Sequence, residues 1–125
     1  MIKVRSTTAM TAGIALAAIG LLQMPGAFAH SQTQSTSPKA NAVLKTSPSL
    51  VRVNLNEPLI SSGAALIVRS SKNASVTSGK PAISGKSISI ALLPNLADDT
   101  YRVSYRVVSN DGHVVTSSYK FTVKH

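Results

Sequence analysis

Asp111 and His113 stand two apart in "VVSNDGHVVT" (107–116), in a chain of 125 residues that holds only four acidic side chains and three histidines. A carboxylate beside an imidazole can orient the ring, share a proton with it, or join it on a metal ion. The same stretch is also a turn, because Asn, Asp and Gly tolerate the backbone angles that reverse a strand. The pair carries chemistry only if other ligands reach it.

A partner lies at the other end of the chain. Residues 1–29 read as a secretory signal, with Lys3 and Arg5 as the charged start, "GIALAAIGLL" (13–22) as the apolar stretch, then Pro25, Gly26 and "AFA". The apolar run is shorter than the roughly 20 residues a bilayer span needs. Cleavage after Ala29 makes His30 the first residue of the exported product, where its α-amine and ring Nδ1 can chelate one ion. With the His113 imidazole the set has three nitrogens, which suits Cu(II) in a tetragonal arrangement. Asp111 supplies an oxygen. Glu57, at a predicted strand end, supplies another or holds a histidine from outside the coordination sphere.

Each residue also has a plainer reading. His30 is wherever the peptidase cut, Asp111 a turn former, Glu57 a solvated strand end, and His113 a strand histidine in water. Together these weaken, since so few acids and histidines gather at predicted strand ends, where loops build sites. His125 is expected to fray and is given no role.

Composition narrows the classes. There is no Cys, and Met1, Met10 and Met24 all precede residue 30, so residues 30–125 offer no sulfur ligand. Without Lys3 and Arg5 there remain 11 basic against 4 acidic residues, a formal charge of +7. The basic residues form no cluster in sequence and aromatics are few, which argues against nucleic acid. The charge reads as a solvated basic surface, with attraction to anionic envelope components as the lesser reading.

The elements that must position these residues read as strands. "HSQTQSTSPKANA" (30–42) suggests an extended lead-in strand or a loosely held arm. In "SLVRVNLNEP" (49–58), Val51, Val53 and Leu55 alternate with polar residues until Pro58, which has no N–H for the ladder. "AALIVRS" (64–70) reads as a strand buried on both sides. "KSISIALLP" (86–94), "TYRVSYRVVS" (100–109) and "VVTSSYKFTV" (114–123) alternate again, and the last two pair as a hairpin through "SNDGH". Gly63, Gly79 and Gly85 read as turn glycines. No 3.6-residue apolar stripe is present in residues 30–125. The expectation is one all-β domain over 30–125, an antiparallel Greek-key, Ig-like sandwich or barrel.

"VRVNLNEPL", "DTYRVSYRVVSNDGHVVTSSYKFTV" and the Ser37-Pro38 step resemble the CopC-type periplasmic copper-binding proteins, including their YobA-like copper-resistance members. The resemblance covers nearly all of residues 30–125. It implies an Ig-like fold that binds Cu(II) through the N-terminal His and its amine, an Asp and a His two apart, and a nearby Glu. These fall on His30, Asp111, His113 and Glu57. Some members also carry a Met-rich Cu(I) site, which the absence of Met from residues 30–125 puts out of reach.

Three functions are weighed. The first is a periplasmic Cu(II)-binding protein for copper resistance, buffering or delivery: a non-enzyme and a monomer, whose partners are the copper ion and an inner-membrane copper transport protein. The second is an oxidative copper enzyme, since lytic polysaccharide monooxygenases also hold copper in an N-terminal histidine chelate, although two Phe and three Tyr give no aromatic plane for a substrate. The third is a metal-free Ig-like envelope module. No Ser-His-Asp set or pair of carboxylates for acid-base work is apparent.

Overall fold

The computed structural model describes residues 32–125. The expected signal peptide and His30 therefore lie outside the described residues. Eight strands follow one another: β1 (Thr33–Ser37), β2 (Val43–Leu44), β3 (Leu50–Leu55), β4 (Leu59–Arg69), β5 (Thr77–Ser84), β6 (Ser87–Leu92), β7 (Asp99–Ser109) and β8 (Val114–Val123). They form two four-stranded sheets, ordered β1-β3-β6-β5 and β2-β8-β7-β4. All pairs are antiparallel except β2 with β8, which is parallel. Among the described residues no helix is long and apolar enough to cross a membrane.

The period-2 pattern explains the layers. Successive side chains of a strand point to opposite faces, so Val51, Val53 and Leu55 of β3 turn inward with Ile88, Ile90 and Leu92 of β6. They meet Tyr101, Val103, Tyr105 and Val107 of β7 and Phe121 and Val123 of β8. Each such side chain contributes about 1.5–3 kcal/mol when fully buried. Tyr101 and Phe121 stack with ring centroids 5.5 Å apart. The Tyr101 hydroxyl donates to the Ala97 carbonyl at 2.6 Å, the same device that closes a corner in immunoglobulin-type sandwiches. The expected all-β sandwich is present.

Of the two readings of the lead-in segment, the extended strand is the one present, with β1 laid along β3. Several other details differ from the sequence expectations. The 64–70 segment is the second half of a longer strand and is buried on one face only: Leu66 and Val68 point into the core, while Ala65 is exposed. β4 is an edge strand of a two-layer fold, so no third layer covers its outer face. Gly63 is no turn glycine. It lies within β4, where the register with β7 slips between Ile60 and Ala65, and its φ of 77° is a conformation that a side chain disfavours. Gly79 likewise lies inside β5. β5 itself escapes a reading for alternation because its outer positions are small or polar and only Ile83 packs on the core.

Candidate metal centre

The site grows out of the β7–β8 hairpin. Strict pairing holds from Asp99 with Val123 to Val108 with Val114, so Ser109 and Val114 bracket a tight reversal. Ser109 N–H donates to the His113 carbonyl and Gly112 N–H to the Ser109 carbonyl, each at 2.9 Å. Gly112 has φ 93°, a backbone angle that favours glycine over every residue with a Cβ. This is the local reason for glycine between Asp111 and His113.

The turn also aims the Asp111 side chain. Asp111 Oδ1 accepts hydrogen bonds from the buried Ser109 hydroxyl and from His113 N–H at 3.2 Å. It stands 2.9 Å from His113 Nδ1. The Ser109 hydroxyl above all, then the His113 ring and backbone, hold the Asp111 carboxyl well below the usual carboxylate range. Asp111 is therefore an ionised acceptor, and Nδ1 of His113 is the protonated nitrogen of that contact. In the neutral ring the lone pair then lies on Nε2. The two side chains are 43% and 52% exposed, open enough for an ion to arrive from solvent. A carboxylate that fixes an imidazole in this way is the usual support of a metal-binding histidine.

Two further segments are tied to this end of the sandwich. Asn110 N–H donates to the Pro58 carbonyl at 2.9 Å, which fastens the turn to Glu57-Pro58. Gln32 and Asn56 exchange two bonds: Gln32 N–H to Asn56 Oδ1 at 2.7 Å and Asn56 N–H to the Gln32 carbonyl at 3.0 Å. Thr33 Oγ1 meets the Tyr105 hydroxyl at 2.6 Å, a bond between the two sheets. The chain's first described residues thus lie beside Glu57, and Glu57 lies beside the turn. Among the described residues Asp111 and His113 come together, but no three His, Asp or Glu side chains form one metal-holding group. Glu57 is placed on the adjacent segment, outside any such group.

Sequence reasoning missed Ser109. Its signal was present, since it falls on the inward-facing register of Tyr101, Val103, Tyr105 and Val107, where a hydroxyl needs a polar partner. The expectation for His125 is also corrected. Its N–H donates to Asp98 Oδ1 at 3.0 Å and its Nδ1 lies 2.5 Å from the same oxygen. His125 is anchored at the opposite end of the sandwich, and its bonds hold Asp98 below the ordinary carboxylate range.

The chain is similar in sequence and fold to known proteins. The model of the CopC domain matches residues 33–124. The chain belongs to the CopC family. Copper resistance protein C of Escherichia coli is 35% identical over 107 residues, covering 78% of this chain and 84% of that protein. Copper transport protein CutJ of Bacillus subtilis is 31% identical over 99 residues, 77% of this chain but only 18% of CutJ. Among solved structures, CopC from Methylosinus trichosporium OB3b superposes with a TM-score of 0.66 at 30% identity, over 76% of this chain and 94% of that one. PcoC, a methionine-rich copper resistance protein from Escherichia coli, gives 0.65 at 30% identity, over 77% and 100%. This CopC-family chain differs from a methionine-rich relative in one respect: its described residues contain no Met.

Proposed function

We propose that this CopC-family protein is exported, binds Cu(II) at the β7–β8 turn, and buffers copper or hands it on outside the cytoplasm. The observation that carries this reading is the Asp111–His113 pair, held by Ser109 at the end of the sandwich where Gln32 is pinned to Asn56. Asp111 holds Nδ1, so His113 ligates through Nε2. His30 stands two residues before Gln32, a chain length of about 7 Å when extended. With the signal removed at Ala29, its amine and ring nitrogen complete a set of three nitrogens with His113, and Asp111 and Glu57 add oxygen or orient the rings. Such ligands favour Cu(II) over Cu(I). The copper-resistance names of the relatives support the metal.

The protein acts as a monomeric carrier and not as an enzyme. Its partner is an inner-membrane copper transport protein. The similarity of 77% of this chain to a portion of the copper transport protein CutJ supports a link to copper transport.

The test compares protein beginning at His30 with protein carrying one added Met before it. The addition keeps every side chain and converts the amine to a peptide nitrogen. Cu(II) affinity is expected to fall by orders of magnitude, and the spin-resonance spectrum to report fewer nitrogens. Equal affinity in the two proteins would remove His30 from the site.

A further inference from the structure

The outer face of the β2-β8-β7-β4 sheet carries a row of cations that no metal-binding role uses. Arg69 of β4 pairs directly with Arg102 of β7, and Arg102 pairs directly with Lys120 of β8. Strands lie about 4.8 Å apart, so three positive side chains start from a line about 10 Å long on three adjacent strands. The flanking residues Val68 and Val103 point into the core, so all three cations point to solvent. Like charges directly opposite one another destabilise a sheet. Among the described residues the ion pairs are the two His–Asp contacts, and neither involves this row. Asp99, which precedes Thr100 on β7, is engaged by the Ser71 hydroxyl and N–H at 2.9 and 3.1 Å.

These cations line a cleft of about 310 Å³, together with Ser70 and Thr100. Both guanidinium groups are oriented by one bond each. Arg69 Nη1 donates to the Asn73 carbonyl and Arg102 Nη1 to Ser118 Oγ, both at 3.2 Å. A guanidinium has five N–H donors, so most remain for a ligand. Arg102 precedes Ser109 by seven positions on one strand, which separates the cleft from the Asp111–His113 turn by about 23 Å.

We propose that the Arg69–Arg102–Lys120 cleft binds a phosphate group. Two planar forks match pairs of phosphate oxygens, the ammonium adds a third charge, and the Ser70 and Thr100 hydroxyls can donate to the remaining oxygen. A tetrahedral phosphate offers at least two charged, non-bridging oxygens to several cations at once and is bound by paired forks. It is met as free phosphate, close to doubly charged at neutral pH, and as the singly charged diester of an anionic phospholipid headgroup, and two arms of one experiment separate them.

In the first arm, isotope-labelled protein is titrated with inorganic phosphate and with chloride at equal ionic strength, and amide shifts are followed. In the second, binding is measured to vesicles of phosphatidylglycerol in phosphatidylcholine, against phosphatidylcholine alone. Arg102→Gln and Lys120→Gln are each expected to weaken binding about fivefold. Lys45→Gln, the same charge change at an exposed site elsewhere, is expected to leave it unaltered. Phosphate-specific shifts around residues 69, 102 and 120 without vesicle binding assign free phosphate. Vesicle binding with the same ranking of variants assigns the lipid headgroup. Chloride shifts equal to those with phosphate, or a Lys45→Gln loss as large as that of Arg102→Gln, would overturn the proposal in favour of a diffuse basic surface.

Discussion

Tyr105→Phe isolates the bond that joins the N-terminal strand to the opposite sheet. Tyr105 is 5% exposed, and its hydroxyl meets Thr33 Oγ1 at 2.6 Å. Phenylalanine keeps the ring packing and deletes only the hydroxyl, so no cavity is opened beyond one oxygen. Thr33 is exposed and can turn its own hydroxyl to water. The loss therefore belongs to the range of a neutral hydrogen bond, about 0.5–1.5 kcal/mol. For a domain of this size about 1 kcal/mol lowers Tm by roughly 4–8 °C. The same energy caps the effect on copper, because detaching β1 can shift its population by no more than the tie was worth. Cu(II) affinity should fall by about fivefold for about 1 kcal/mol and by little more than about tenfold at the upper end of that range, with β1 still laddered to β3 and Gln32 still bonded to Asn56. The assay is urea unfolding of the parent, Tyr105→Phe, Thr33→Val and the double variant, with Cu(II) titration of each. A coupling energy near 1 kcal/mol is expected. Losses additive to within about 0.3 kcal/mol would refute the role of this contact in fastening β1 across the sandwich.

Three other outcomes are expected. His113→Ala should weaken Cu(II) binding more than Asp111→Ala, because the first removes a nitrogen ligand and the second chiefly the group that aims it. His113→Ala should leave Tm within about 2 °C, since its side chain is exposed, whereas Asp111→Ala also removes the acceptor of the buried Ser109 hydroxyl and should lower Tm by about 4 °C or more. Thermal stability should hold from pH 7 to about 5 and fall in stronger acid. Asp98, Asp99 and Asp111 have folded pKa values depressed by bonds from His125, Ser71 and Ser109 respectively. Their contribution is complete above the unfolded value of about 3.9 and is lost as pH falls through the folded values, and a Tm that dropped mainly between pH 7 and 5 would contradict this sign. In competition with a Cu(I) chelator under reducing conditions the protein should give up its copper, because the described residues offer neither thiol nor thioether; tight Cu(I) retention would overturn the ligand set.

Alternation by itself determined the core of this protein. Val51, Val53 and Leu55, Ile88 and Ile90, and Tyr101 through Val107 each declare their inward face, because a strand's side chains have a period of two whatever lies beyond it. The β7–β8 hairpin was legible for the same local reason, as was the Asp111–His113 pair, whose spacing places both on one turn that Gly112 closes. Contacts between residues far apart in the chain were not legible. β2 and the first half of β4 lack the alternation of a buried strand and exist as strands because neighbours supply their hydrogen bonds. The placing of Gln32 against Asn56, of Pro58 against Asn110 and of Asp98 against His125 depends on how the sheets stack, which no window of sequence contains. The basic residues look scattered along the chain, and antiparallel register alone sets Arg69, Arg102 and Lys120 side by side. Local stereochemistry chose which residues face inward; the pairing of distant strands, settled by burying those faces together, chose which polar residues meet at the surface.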